Sequence, residues 1–266
     1  MPRRKSSLME MSALRCWPGV NHKAGRLLFL FIFAGLSFGQ QLDVRPNNYY
    51  SPDTERELGE RFVKHLLADV AAAPEPRLDR LGKQLTPHEA PFELRFYVFD
   101  GGKPSPDEAP AAAAPADWRR LQIDEAIAVA GGTVFVPRGL LSRNDTQLTA
   151  ILAHAIGHIE LRHATIGLTL GELAQVEVQA ASRSRPEEAP QLVSAVATKR
   201  FAFDRTCELA ADEYAARLLH DAGLDPGSLL EYLRTLPAAE NKPLAPYPSP
   251  AERIQAAQAA IQNLKH

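Results

Sequence analysis

The stretch Leu152-Ala153-His154-Ala155-Ile156-Gly157-His158 sets two histidines four residues apart. On a helix that spacing projects both imidazoles from one face, where they can grip a single metal ion. In the hydrolytic form of this motif, H-E-x-x-H, a glutamate after the first histidine activates the metal-bound water. Here that residue is Ala155. The same short stretch therefore points to a metal and leaves the metal's water without its usual base.

A hydrolytic zinc site needs three protein ligands and keeps a fourth position for water. Glu208 is a candidate third ligand, and Asp212 follows it by one helical turn on the same face. An acid so placed can accept a hydrogen bond from the second ring nitrogen of a ligand histidine and fix its tautomer. The competing explanation is a solvated acidic face. Leu209, Ala210, Ala211, Ala215, Ala216 and Leu218 argue against it, because acids on so apolar a helix are partly buried and need partners.

Other polar residues fit this site less well. Glu160 lies two residues beyond His158, about 200° around the helix. His163, five residues from His158, is off the ligand face, and His65, His88 and His220 are isolated. Cys207 adjoins Glu208, but neighbours on a helix diverge by about 100°, so the two cannot face one ion. A buried core thiol is its expected role.

The elements that must position these groups are legible as patterns. Leu58, Phe62, Leu66, Leu67 and Val70 recur at helical spacing between Asp53 and Ala72, and a short helix is expected from Pro76 to Leu85. Phe92 to Phe99 alternates as a half-buried strand. Residues 101–118, rich in Pro, Ala and Gly, read as an exposed loop. Two short strands are expected around Gly131-Gly132. Asn144 or Asp145 can cap a long helix that carries the histidines and runs towards Leu173. A flexible loop over 180–190 then precedes a helix from Leu192 to His220, and two more helices are expected over 227–236 and 250–264. One α+β domain over 53–264, mostly helical with a small antiparallel sheet, is the simplest account.

The chain has 266 residues, 45% hydrophobic and 23% charged, a composition that suits a globular protein with one sizeable core. Residues 1–39 hold six basic residues and one acidic residue, which leaves 24 basic and 31 acidic residues and a net charge of −7 elsewhere. With no basic face or interleaved aromatics, nucleic acid is not an expected partner. The basic start leads into an apolar run over residues 27–39 that is shorter than the ~20 residues needed to span a bilayer as a helix. Small residues at Ser37 and Gly39 offer a signal-peptidase site before Gln40, so residues 1–39 read as a signal peptide and 40–52 as an N-terminal extension. The alternative is an uncleaved membrane anchor. Either way the expected location is exported, periplasmic or secreted. Cys16 would leave with the leader, and Cys207 would be the only thiol of the mature chain.

Four blocks together resemble the HtpX/BepA group of gluzincin metalloendopeptidases, the forty-eighth metallopeptidase family, which also contains the CAAX prenyl proteases. Glu125 to Leu141 resembles the family's N-A-F-A-x-P-G-G strand and the following G-L-L. His154 to His163 resembles H-E-x-G-H-v-x-x-R-H, and Arg205 to Asp212 resembles R-x-x-E-x-x-A-D. Pro248-Ser249 with Glu252-Arg253-Ile254 resembles the closing H-P-S-x-x-E-R-I. The resemblance implies a zincin-like fold and one zinc ion on His154, His158 and Glu208, with Asp212 behind them. It also implies a strand edge, Ala126-Ile127-Ala128-Val129, able to pair with an extended or unfolded polypeptide.

The departures bear on activity. Ala155 stands at the general-base position, Glu125 where the family has Asn, and Tyr247 where it has His. Tyr247 can donate to an oxyanion, although a packed aromatic is the simpler reading. The leading expectation is an exported zinc-binding pseudoprotease with weak or lost turnover. The alternatives are an active metalloendopeptidase, using another base or carrying an introduced Ala155, and a metal-free adaptor.

Overall fold

The computed structural model describes residues 48–69, 72–85, 91–99, 125–236 and 247–264. The expected leader over 1–39, residues 40–47 of the extension, the 101–118 loop and His88 lie outside the described residues. Helix α1 (Pro52–Asp69) is followed by β1 (Ala72–Pro74), α2 (Pro76–Gln84) and β2 (Arg95–Phe99). Then come β3 (Ile127–Val129), β4 (Thr133–Pro137), a single 3-10 turn (Arg138–Ser142) and α3 (Asp145–Glu160). The chain continues with α4 (His163–Ser184), α5 (Ala189–Asp221), α6 (Gly227–Arg234) and α7 (Pro250–Asn263). The expected mostly helical α+β architecture holds. No helix among the described residues is long and apolar enough to cross a membrane.

The four strands lie in the order β1-β2-β4-β3. β3 and β4 form an antiparallel hairpin, with Val129 opposite Thr133. Its turn needs positive φ at Gly131 (79°) and Gly132 (103°), a region that costs glycine nothing. The sheet is not wholly antiparallel as expected: β2 and β4 run parallel, pairing Arg95 with Thr133 through Phe99 with Pro137. A long connection joins β2 to the hairpin, and such a connection leaves strand direction free where a tight turn would not. β3 ends up at the sheet edge.

Helix α3 is the centre of the core. Asn144 caps it, its side chain accepting from the Gln147 amide at 2.9 Å, while Asp145 pairs with Arg77 and Arg80. Every residue from Leu148 to Ile159 is buried. A helix apolar on all sides belongs in an interior, and this one packs under Phe96, Val134 and Val136 of the sheet and against Ala215, Leu219, Leu229 and Tyr232 of α5 and α6. Two histidines in such surroundings are shielded from water by position alone.

Two expectations about the helices need correction. The histidine helix does not run on to Leu173; it stops at Glu160, and Arg162 takes a left-handed conformation (φ 55°) before α4 begins. Arg162 is held there by Nε on Glu55 Oε2 at 2.7 Å and by Nη2 on the Tyr50 carbonyl. The loop expected over 180–190 shortens to residues 185–188, since α4 continues to Ser184 and α5 starts at Ala189. Pro186 sits in that connection, whereas Pro190 lies in the first turn of α5, where proline is tolerated.

Candidate metal centre

His154 and His158 stand one turn apart on the buried face of α3, with Nε2 atoms 3.1 Å apart. Glu208 reaches them from α5, whose close approach depends on small residues. A Cβ on Gly157 would lie 2.9 Å from the Ala211 carbonyl oxygen. Glu208 places Oε2 3.4 Å from His154 Nε2 and Oε1 3.5 Å from His158 Nε2. The three side chains are 7%, 8% and 4% exposed in that order, and their donor atoms all lie within 4.8 Å of one another.

These spacings suit a metal. Bonds of 2.0–2.1 Å at tetrahedral angles put ligand atoms about 3.3 Å apart, close to the three separations, of which the two to Glu208 involve its two different oxygens. Glu208 Oε2 is also buried without a hydrogen-bond donor, although Arg253 Nη1 stands 3.2 Å away as an ion-pair partner. A buried carboxylate oxygen in that state is costly, and a cation between the three donors would satisfy it. Two imidazoles and a carboxylate are the donor set expected of zinc.

The layer behind the donors fixes their orientation and charge. Asp212, one turn past Glu208 and fully buried, sets Oδ1 2.9 Å from His154 Nδ1. Arg253 of α7 grips Asp212 with two bonds, Nε to Oδ2 at 2.7 Å and Nη2 to Oδ1 at 2.8 Å. Burial would favour neutral carboxyls, but Arg253 and His154 hold Asp212 below its usual range, and His158, Arg253 and His154 do so for Glu208. Burial and Arg253 push the His154 imidazole down, yet Asp212 and Glu208 outweigh them and raise it to about 9. Burial holds His158 well below its ordinary value.

The structure thus brings together His154, His158, Glu208 and Asp212. Two partners went unrecognised. Arg253 carries no sign of this role beyond its place in the last block, because nothing in the order of residues says that α7 folds back onto α5. Helical spacing puts His163 off the ligand face, but its Nδ1 lies 3.0 Å from His158 Nδ1 and its ring is buried. The break at Arg162, invisible in helical periodicity, returns it to the site.

The remaining candidates sit elsewhere or differently. Residue 155 is an alanine 1% exposed, with no group able to take a proton. Glu160 is half-buried, and burial raises its carboxyl to about 7. Tyr247 has a buried hydroxyl, and its carbonyl accepts from Arg205 Nη1 at 2.9 Å. Cys207 is buried in the interior. Ala126, just ahead of edge strand β3, and Ala128 within it pack on the core, while Ile127 and Val129 turn to the cluster around Phe99 and Phe135.

Glu125 precedes β3. The residue as a whole is exposed, yet desolvation of its carboxyl raises the pKa, opposed by Arg253 and reinforced by Glu208. It therefore lies within electrostatic reach of the donor cluster.

Comparison with known families decides the affiliation. The family model described as Peptidase family M48 matches residues 107–261, more than half of the chain. The chain belongs to peptidase family M48. The M48 match runs from ahead of β3 into α7, so it contains all three donors together with Asp212, His163 and Arg253. M48 peptidases are zinc metallopeptidases, and the donor cluster described above is a possible site for that ion. No curated protein matches the chain.

Proposed function

We propose that this M48 chain is an exported zinc-binding protein of the HtpX/BepA kind whose peptidase activity is weak or lost. His154, His158 and Glu208 would hold one zinc ion, with Asp212 orienting His154. One observation carries the reading: three donors spaced for a tetrahedral ion, beside a position 155 that bears no carboxylate. When bound, zinc supplies an acidified water and polarises a carbonyl. The chain's own part would be to exclude bulk water with the walls of α3 and α5 and to balance the buried carboxylates with Arg253.

What the chain lacks at position 155 is a base to take the water's proton and return it to the leaving amine. Such a base contributes typically about 10²–10⁴ in rate. Residual turnover at best is the consequence. Clients would be extended or unfolded polypeptides paired along the edge of β3, with no role for nucleic acid. The basic leader and apolar run over 27–39 support export, with the mature body periplasmic, secreted or tethered by that run.

The test is metal analysis of the purified protein, with casein hydrolysis by the parent and by Ala155→Glu. One zinc per chain, a slow parent and a variant faster by about 10²-fold or more are expected. A parent already active, with a variant that gains nothing, would refute the lost-base reading. A parent that takes up no zinc would instead favour a metal-free adaptor.

A second reading, a working peptidase with a different base, is favoured by Glu125. Its carboxyl is coupled to Arg253, Glu208 and His154, and its pKa is shifted upward, as suits a proton carrier. A parent whose casein hydrolysis falls by about 10²-fold in Glu125→Gln, with zinc retained, would establish it.

A further inference from the structure

We propose that His163 is a positioning residue for the metal site, acting as the hydrogen-bond acceptor that fixes the tautomer of His158. The inference rests on the metal reading above. The two Nδ1 atoms lie 3.0 Å apart, and the rings meet edge to face at 77° with centroids 5.0 Å apart. Both rings are buried, so each has only the other and its immediate neighbours to bond.

Between two imidazole nitrogens one carries the proton and the other accepts it. The arrangement at His158 Nε2 decides which. That atom faces His154 Nε2 at 3.1 Å and Glu208 Oε1 at 3.5 Å, and holding a cation there requires its lone pair. The proton of a neutral His158 must then sit on Nδ1 and point at His163 Nδ1. His163 in turn carries its own proton on Nε2. His154 follows the same logic through a different partner, its Nδ1 donating to Asp212 at 2.9 Å. Each metal-facing histidine is thus oriented through its far nitrogen, one by a carboxylate and one by a neutral imidazole.

The fold invests structure in this contact. Continued as an ideal helix, α3 would carry residue 163 about 140° away from His158. Arg162 instead adopts the left-handed conformation, which costs a non-glycine residue about 1 kcal/mol or more. Glu55, buried and also bonded by Thr165 at 2.7 Å, holds the Arg162 guanidinium and offsets that cost. The first turn of α1 is thereby coupled to the orientation of a metal-facing ring.

The test uses the whole mature protein and zinc itself. Zinc affinity is read by competition with a chromophoric chelator for the parent, His163→Phe and His163→Gln, beside the thermal stability of each metal-free protein. Phe offers no acceptor, and its affinity should fall by about 10–100-fold. Gln offers an amide oxygen and should recover most of that loss. A purely packing role would instead lower metal-free stability without separating the two variants in affinity. The second readout needs no substitution: long-range nitrogen–proton spectra of the zinc-loaded parent should show His158 protonated at Nδ1. Parent-like affinity in His163→Phe, or a His158 proton on Nε2, overturns the inference and leaves the metal reading intact. A folded parent that binds no zinc overturns both.

Discussion

Gly157 lies against the backbone of Ala211, so close that a Cβ would stand 2.9 Å from the Ala211 carbonyl oxygen and 3.2 Å from its Cα. This contact sets the distance between α3 and α5, and so the distance from the two histidines to Glu208. A Gly157→Ala change has no flexible side chain to push aside there. It should cost about 1–3 kcal/mol in urea unfolding and lower zinc affinity as the helices part. Unaltered stability together with unaltered affinity would show that the approach is not what assembles the donors.

Arg253 clasps Asp212 with two hydrogen bonds, and it also faces Glu208 at 3.2 Å. Removing it leaves two buried carboxylates with His154 as their remaining close cation in the metal-free protein. Arg253→Met should destabilise the metal-free protein by about 3–5 kcal/mol, with part of the loss recovered on adding zinc. Urea titration with and without the metal reads both quantities. A loss below about 1 kcal/mol would mean that the carboxylates find other partners.

The raised pKa of His154 gives the site a definite pH dependence. In the metal-free protein His154 titrates near 9, above the ordinary value of 6.5. The folded state therefore holds a proton that the unfolded state loses between those values. Stability in a chelator should be full below about pH 6.5 and fall as pH rises towards 9. Zinc must displace that proton, so its affinity should rise about tenfold per pH unit over the same window. The two trends have opposite signs and can be read from thermal melts in chelator and from zinc titrations at each pH. Parallel trends would contradict the proton assignment.

Ala155 is sealed in the core, 1% exposed, so a carboxylate placed there meets packed surroundings. Ala155→Glu should be less stable than the parent by about 1–3 kcal/mol without metal. Its gain in casein hydrolysis should appear only with zinc present. Differential scanning calorimetry beside the assay separates the two effects. Full parental stability would mean that the site has room already shaped for a larger side chain.

Local order sufficed for much of this. The four-residue intervals between His154 and His158 and between Glu208 and Asp212 repeat the helical period, so each pair's shared face followed from spacing alone. The glycines of the β3–β4 turn and the Asn144 cap were equally readable, because both act within a few residues. Where relations are long-range, residue spacing is silent, and the meeting of Glu208 with the two histidines is implied only by the family resemblance. The parallel pairing of β2 with β4, the Arg253 clasp on Asp212 and the return of His163 to His158 each join segments whose separation along the chain carries no spacing rule. The last of these turns on one left-handed residue, Arg162, whose conformation is imposed by Glu55, 107 residues earlier. Periodicity describes a helix that continues; only packing decides where it stops and what the turn beyond it brings back.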